Sequence, residues 1–303
     1  MTLAPRAVLV HRRTDYQDLL ARHGSRGQAA FFLAGRDRSL DELEDRHHRT
    51  LAALARAAGA VPAGWRHSRV ERDDLDRFLF GPQDVVVVVG QDGLVANVAK
   101  YLSGQPVIGI DPDPGRNAGV LVRHRPGDAA ELLHAATAAR AGAAGTVPLT
   151  EHTMVEAVAD DTQRLLALNE IYIGQRTHQT ARYRLAAPGG SAEDQASSGV
   201  LVCTGTGATG WCRSTWLERR STLRLPEPTA PALGWFVREA WPSPVTGTSQ
   251  VQGVLDTAEQ LSLTVESDQL VAFGDGMESD ALQLSRGQTV RLRVAGERLR
   301  LLA

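Results

Sequence analysis

Asp84-Val85-Val86-Val87-Val88-Val89-Gly90-Gln91-Asp92-Gly93 is the stretch that decides the fold. Five consecutive valines, bounded by Pro82 and Gly90, predict a strand buried on both faces, and such strands belong to the parallel sheets of α/β folds. Residues 94–102 have a helical pattern and residues 105–110 read as the next strand, so the segment is a βαβ unit. Open α/β sheets bind ligands at the carboxyl end of such a strand, beside a helix start. Gly90, Gln91 and Gly93 are therefore candidate phosphate contacts, since glycine lets the backbone approach a phosphate with its amides turned toward it. Asp92 is the odd member, because a carboxylate repels phosphate. It makes sense there if it handles a metal or takes a proton from an attacking hydroxyl. A plain Asp-Gly turn after a strand accounts for the same residues.

Working outward, residues 7–10 read as a buried first strand, followed by a polar, arginine-rich region. Residues 36–58 repeat leucine and alanine at helical spacing, with Ser39 and Glu42 set as a capping box and Gly59 as a stop. Residues 72–79 suggest a second short helix. Beyond 140 the character changes. Residues 141–145 are small-residue linker material. Short β-prone runs then recur at 167–173, 182–185, 200–203, 261–265, 269–273, 290–294 and 299–302, separated by turn signals and interrupted by a possible helix over 209–220. The expectation is an α/β domain with a Rossmann-like parallel sheet over 1–143 and an all-β sandwich domain over 144–303.

Composition narrows the function. The chain has 303 residues, 43% hydrophobic and 22% charged, with a formal net charge of -2. Proteins that bind nucleic acid generally carry a basic excess, which is missing here. Arg12-Arg13 and Arg219-Arg220 read as solvated surface. Cys203 and Cys212 match no zinc or haem spacing, and two cysteines are too few for a disulfide scaffold, so reduced cytosolic thiols are the simplest reading. The N-terminal apolar stretch is only a strand long, and no run of about 18 apolar residues follows, which supports neither export nor membrane insertion. The expected compartment is the cytoplasm.

Three further motifs could carry chemistry. Cys203-Thr204-Gly205-Thr206-Gly207-Ala208-Thr209-Gly210-Trp211 would be a polar loop rich in free amides and hydroxyls, suited to phosphate or ribose, or a tight turn. Asn169-Glu170 stands inside an apolar run. In a strand the two would face opposite sides, and an amide with a carboxylate can hold the two hydroxyls of a ribose; an exposed strand end is the plainer alternative. Gly274-Asp275-Gly276 is a strong turn signal. The nine histidines include no His-x-x-x-His pair, and the serines have no nucleophile-elbow context.

Taken in order, these motifs resemble the NAD kinases, which show Gly-Gly-Asp-Gly, then Asn-Glu, then a threonine-glycine loop. The likeness is greatest to the mitochondrial-type branch, whose features are similar to Arg46-His47-His48, Pro106-Val107-Ile108-Gly109, Asp113-Pro114, Ala167-Leu168-Asn169-Glu170, Ser197-Ser198-Gly199 and the loop from Cys203 to Trp211. The resemblance runs from about Leu43 to the C-terminus. It implies a two-domain enzyme that transfers the γ-phosphate of ATP to the 2'-hydroxyl of the adenosine ribose of NAD, giving NADP. Mg2+ would be held mainly by phosphates, without direct side-chain ligands, and the protein would be a homodimer or homotetramer. By the same resemblance Asp92 is the general base. Asn169, Glu170, Ser198, Thr209, Gly210, Trp211 and Asp275 fall on the NAD side; Gly90, Gln91, Gly93, Thr204, Gly205, Thr206 and Gly207 fall around the phosphates.

The sequence departs from that pattern chiefly on the donor side. Gln91 replaces a glycine, Leu94 a threonine and Asp111 a common asparagine. If position 91 needs positive φ, a side chain there costs about 1 kcal/mol or more. Asp111 would place one more negative charge near a site for polyanions. A non-catalytic NAD(P) binder, or a kinase of the same fold for another nucleotide, stays open beside the kinase.

Overall fold

The structure, a computed structural model, describes residues 4–116, 119–140 and 147–302. The expected linker at 141–145 lies outside them. The chain divides into two compact units, Met1–Thr150 with Arg300–Ala303, and Glu151–Leu299.

In the first unit the chain runs β1 (Arg6–His11), α1 (Asp15–His23), α2 (Arg26–Ala34), α3 (Asp41–Gly59), β2 (Arg66–Glu71), β3 (Asp84–Val89), α4 (Asp92–Ala99), β4 (Pro106–Ile110) and α5 (Ala129–Arg140). The strands pair in parallel in the order β2-β1-β3-β4. The valine run is β3, and every one of its residues is buried. Val85, Val87 and Val89 pack with Ala53, Leu54 and Ala57 of α3 and with Leu132, Leu133 and Ala136 of α5, because alternate side chains of a strand face opposite sides. The arginine-rich region after β1 is helical, not irregular: Thr14 caps α1 in a capping box with Gln17. The box expected at Ser39 is absent. Leu40 is the N-cap of α3 without a side-chain bond, and the Ser39 hydroxyl accepts the Asp41 N–H at 3.0 Å. Residues 72–79 give a 3-10 turn over Arg72–Arg77 instead of an α-helix.

The second unit is a β-sandwich. Its strands are β5 (Leu149–Ala159, which begins in the first unit), β6 (Arg164–Ala167), β7 (Glu170–Gly174), β8 (Ala181–Ala186), β9 (Glu193–Ser197) and β10 (Gly199–Cys203). After α6 (Trp211–Glu218) come β11 (Leu233–Arg238), β12 (Gln252–Leu255), β13 (Leu261–Val265), β14 (Gln269–Gly274), β15 (Met277–Ser285) and β16 (Thr289–Leu302). One sheet runs β12-β11-β10-β7-β14-β15, all antiparallel. The other sets β16, β13, β8 and β9 side by side, with β5 between β16 and β6. The inward residues of both sheets, among them Ile171, Ile173, Tyr183, Leu185, Val200, Val202, Leu263 and Leu292, form one core. Residues 290–294 and 299–302 belong to a single long strand, β16. Its end returns to the first unit, where Arg300 and Leu301 pair in parallel with Pro106 and Val107. No helix of the described residues is long and apolar enough to cross a membrane.

Candidate functional site

In the first unit, Asp92 opens α4 directly beyond β3. Gln91 is its N-cap, at φ -111° and ψ 166°. That is ordinary extended backbone, so the side chain at position 91 carries no left-handed strain. Gly90 and Gly93 flank the pair, and Leu94 is buried. The Asp92 carboxylate is bound to the backbone. Oδ1 accepts the N–H groups of Leu121 at 2.7 Å and Val122 at 3.0 Å, and Oδ2 accepts the N–H of Val120 at 2.9 Å. A carboxylate offers about four acceptor positions, so one remains, on Oδ2. Gly109 makes the clamp possible: a Cβ there would run into the Leu121 carbonyl, so only glycine in β4 lets the 121–122 backbone lie this close. The extra acid at position 111 is buried and occupied locally, its Oδ1 accepting the Asp113 N–H at 2.9 Å.

A cleft of about 630 Å³, counted with its open mouth, lies at Gly90 and Gln91. Its walls carry Arg12, Arg13, Arg46 and Arg116, together with Thr14 and His47. The reading of Arg12-Arg13 as plain solvated surface is therefore incomplete: both are exposed, yet both line this cleft. Arg12 and Arg46 share Asp15 at 3.2 and 3.4 Å, and Arg116 pairs with Glu42 at 3.0 Å. These are solvent-facing pairs, weak enough for an anion to displace. Thr14 Oγ1 stands 2.8 Å from His47 Nδ1. Burial first, and the neighbouring His48 second, hold the His47 pKa below its ordinary value. Sequence reading missed this cluster because its members come from four separate segments.

In the second unit the structure ties three of the sequence motifs together at Leu168-Asn169. This dipeptide falls between β6 and β7, so the expected single strand over 167–173 is broken there and Asn169 is not a strand residue. The buried Asp275, at φ 55° in the turn after β14, accepts the N–H of Leu168 at 2.8 Å and of Asn169 at 2.7 Å. The Thr204 hydroxyl donates to the Leu168 carbonyl at 2.5 Å, and the Thr204 N–H donates to the Asn169 carbonyl at 2.9 Å. Gly207 abuts the Asn169 backbone so closely that a Cβ would clash. His152 Nδ1 lies 3.1 Å from the Thr206 hydroxyl, and both residues are buried. His152 drew no attention in the sequence because Thr206, which it meets in the fold, stands 54 residues away.

The threonine-glycine loop differs from the expected cradle of free amides. Thr206 and Gly207 donate their N–H groups to Thr204 Oγ1 at 3.1 and 3.2 Å. Those of Ala208, Thr209 and Gly210 go to Thr204, Thr206 and Gly207 carbonyls. The loop winds into a 3-10 turn over Gly207–Thr209 that uses its own donors. Thr204, Gly205, Thr206 and Gly207 are buried, while Thr209 and Gly210 are exposed. Trp211 stacks on Tyr172 at 5.4 Å, and the Arg238 guanidinium lies 5.3 Å from the centre of its ring. Ser198 precedes β10 at the end away from Cys203, and its carbonyl accepts the hydroxyl of Tyr172, the residue stacked on Trp211, at 2.6 Å.

Glu170 is the one strongly shifted acid of the cluster. Burial first, and the negative charge of Asp275 second, push its carboxyl up to about 8. At neutral pH it holds a proton and can donate a hydrogen bond. The two cysteines are not separate reduced thiols: Cys203, at the end of β10, is joined to Cys212, in the first turn of α6, as a disulfide. The loop folds back and sets their Cα atoms 6.3 Å apart, a separation that the nine-residue spacing alone did not disclose. Among the described residues, no group of three or more His, Cys, Asp or Glu is placed to hold a metal.

No family model and no curated protein matches this sequence. Among solved structures the chain is similar to an NAD kinase from Archaeoglobus fulgidus in complex with ATP, at 16% identity and a TM-score of 0.58, over 98% of this chain and 93% of that one. The fold is therefore that of NAD kinases: a mixed sheet with helices, and a β-sandwich.

Proposed function

We propose that this protein is an NAD kinase, transferring the γ-phosphate of ATP to the 2'-hydroxyl of the adenosine ribose of NAD. The observation that carries the reading is Asp92, fixed by three backbone amides with one acceptor position left, beside an arginine-lined cleft at Gly90 and Gln91. In-line phosphoryl transfer needs positioning, charge neutralisation and one proton acceptor. The free position on Asp92 takes the ribose proton. Arg12, Arg46 and Arg116 exchange their surface carboxylates for donor phosphates, to which Gly90 and Gln91 lie adjacent. Asn169 and a protonated Glu170 hold the dinucleotide, and Trp211 offers it a flat face. The Thr204–Gly207 loop and Asp275 act by shaping the Asn169-Glu170 backbone. Mg2+, carried by the phosphates, would neutralise their charge. We place the enzyme in the cytoplasm by its sequence pattern, and as a homodimer or homotetramer by the sequence resemblance.

A second reading, a dinucleotide binder without turnover, draws on the same clamp, since three of the Asp92 acceptor positions are already filled. NADP formation from NAD and Mg-ATP, followed with an NADP-specific dehydrogenase, separates the two. The kinase reading expects turnover that falls about 1000-fold in Asp92→Asn, with NAD affinity within a few-fold of the parent protein. Absent turnover, with NAD binding intact by calorimetry, would replace the kinase with the binder or with a kinase for another nucleotide.

A further inference from the structure

The Cys203–Cys212 bridge closes the loop that contains every residue from Thr204 to Trp211. The two Cα atoms, 6.3 Å apart, sit within the span a disulfide requires. The bridge fastens one particular end of a short helix. α6 has eight residues, too few for a helix to hold itself together. Its N-cap is Gly210, with no side-chain cap bond. Its far end is tied down separately: Arg219 donates to the carbonyls of Val251 and Val237, and the Trp216 indole donates to the Leu223 carbonyl at 2.8 Å. The covalent tie at Cys212, the second residue of α6, thus fastens the end that lacks a side-chain cap, one residue from the Trp211 ring that stacks on Tyr172.

We propose that Cys203 and Cys212 form a redox latch on this loop. Joined, they seat the start of α6 and Trp211 in the form that binds dinucleotide; reduced by a dithiol, they let that end fray and weaken binding. The dinucleotide half rests on the NAD reading above, and the latch itself does not. In the exchange, a thiolate of the reductant attacks one bridge sulfur and a mixed disulfide forms. The second thiol of the reductant then displaces it, so that Cys203 and Cys212 each gain an S–H while the reductant leaves as its own disulfide. Both cysteines are fully buried, so attack follows lifting of the α6 start. A ligand lying against Trp211 therefore slows reduction, by the same linkage through which reduction weakens the ligand.

Amide hydrogen exchange on the whole protein, air-oxidised and after treatment with a small dithiol, tests the latch without any ligand. The expected result is exchange about tenfold faster over residues 205–214 after reduction, with residues 216–219 unchanged. Cys212→Ser should show the fast pattern in both conditions. Calorimetry should then find NAD bound about fivefold more weakly by the reduced protein. Equal exchange in the two states of the parent protein, or no linked 203–212 peptide pair in the oxidised sample, overturns the latch. Altered exchange with no NAD heat in either state instead overturns the dinucleotide reading and the affinity half of the proposal.

Discussion

Asp92 and Asp275 occupy the same kind of sequence, an aspartate followed by glycine just past a strand, and both use the carboxylate to grip backbone amides. They differ in their surroundings. Asp275 is buried, and its two oxygens bond the amides of the dipeptide beside Glu170. Asp92 is only half-buried, and its three amides come from one run, Val120 to Val122. The same short motif thus grips backbone out of reach of solvent in one unit and within reach of it in the other. What separates them is solvent exposure, which is not written in an Asp-Gly pair.

The comparison can be broken by stability measurements. Asp275→Ala strands two amides in a buried setting and should lower stability by about 3 kcal/mol in urea unfolding. Asp92→Ala strands three, but where water can replace the lost acceptor, and should cost about 2 kcal/mol. The reverse order would mean that Asp92 is the structural keystone and Asp275 the more dispensable acid.

A titration sharpens it further. Glu170 has its carboxyl raised from an ordinary 4.5 to about 8 beside Asp275. A group raised on folding supports the folded state fully below the unfolded value, and that support fades as pH rises through the folded one. Stability should therefore decline between about pH 4.5 and 8, by up to about 5 kcal/mol. Glu170→Gln should remove most of that decline, as read from urea midpoints across the range. A slope unchanged in the variant would assign it to other groups.

In the first unit, Arg46→Ala should raise the ATP KM about tenfold and leave the NAD KM near its starting value. Equal rises in both would place the cleft outside donor binding. The smallest effect belongs to Gln91→Gly. Because Gln91 is in extended backbone, a glycine relieves no strain there, and the ATP KM should shift less than about twofold.

Much of this architecture was legible because burial imposes patterns on sequence. The valine run of β3 and the alternation of β13 needed no tertiary information. β1 and β10 were legible for the same reason. The helices α1 and α2 escaped because their polar faces carry the arginines and acids that pair across them, such as Arg26 with Asp41 and Glu44. β11 and β12 were hidden by Gly234 and Gly253, residues that weaken strand propensity. Asp92 in the first unit, and Asn169, Glu170 and Thr204 in the second, were each visible as motif residues. The ties within the second unit were not, since a hydrogen bond from Leu168 to Asp275 joins positions 107 residues apart. The arginine cleft was opaque for the same reason.

The pairing of Arg300 and Leu301 with Pro106 and Val107 has a consequence for how the protein is made. Until residue 301 leaves the ribosome, β4 is an open edge whose unmatched amides and carbonyls, beside a strand of five valines, are available to any neighbouring chain. N-terminal segments otherwise fold first during synthesis, yet here the earliest sheet is sealed by residues translated long after it. A nascent chain stalled near residue 150 would thus be the aggregation-prone species, and the arrival of β16 would close its sticky margin.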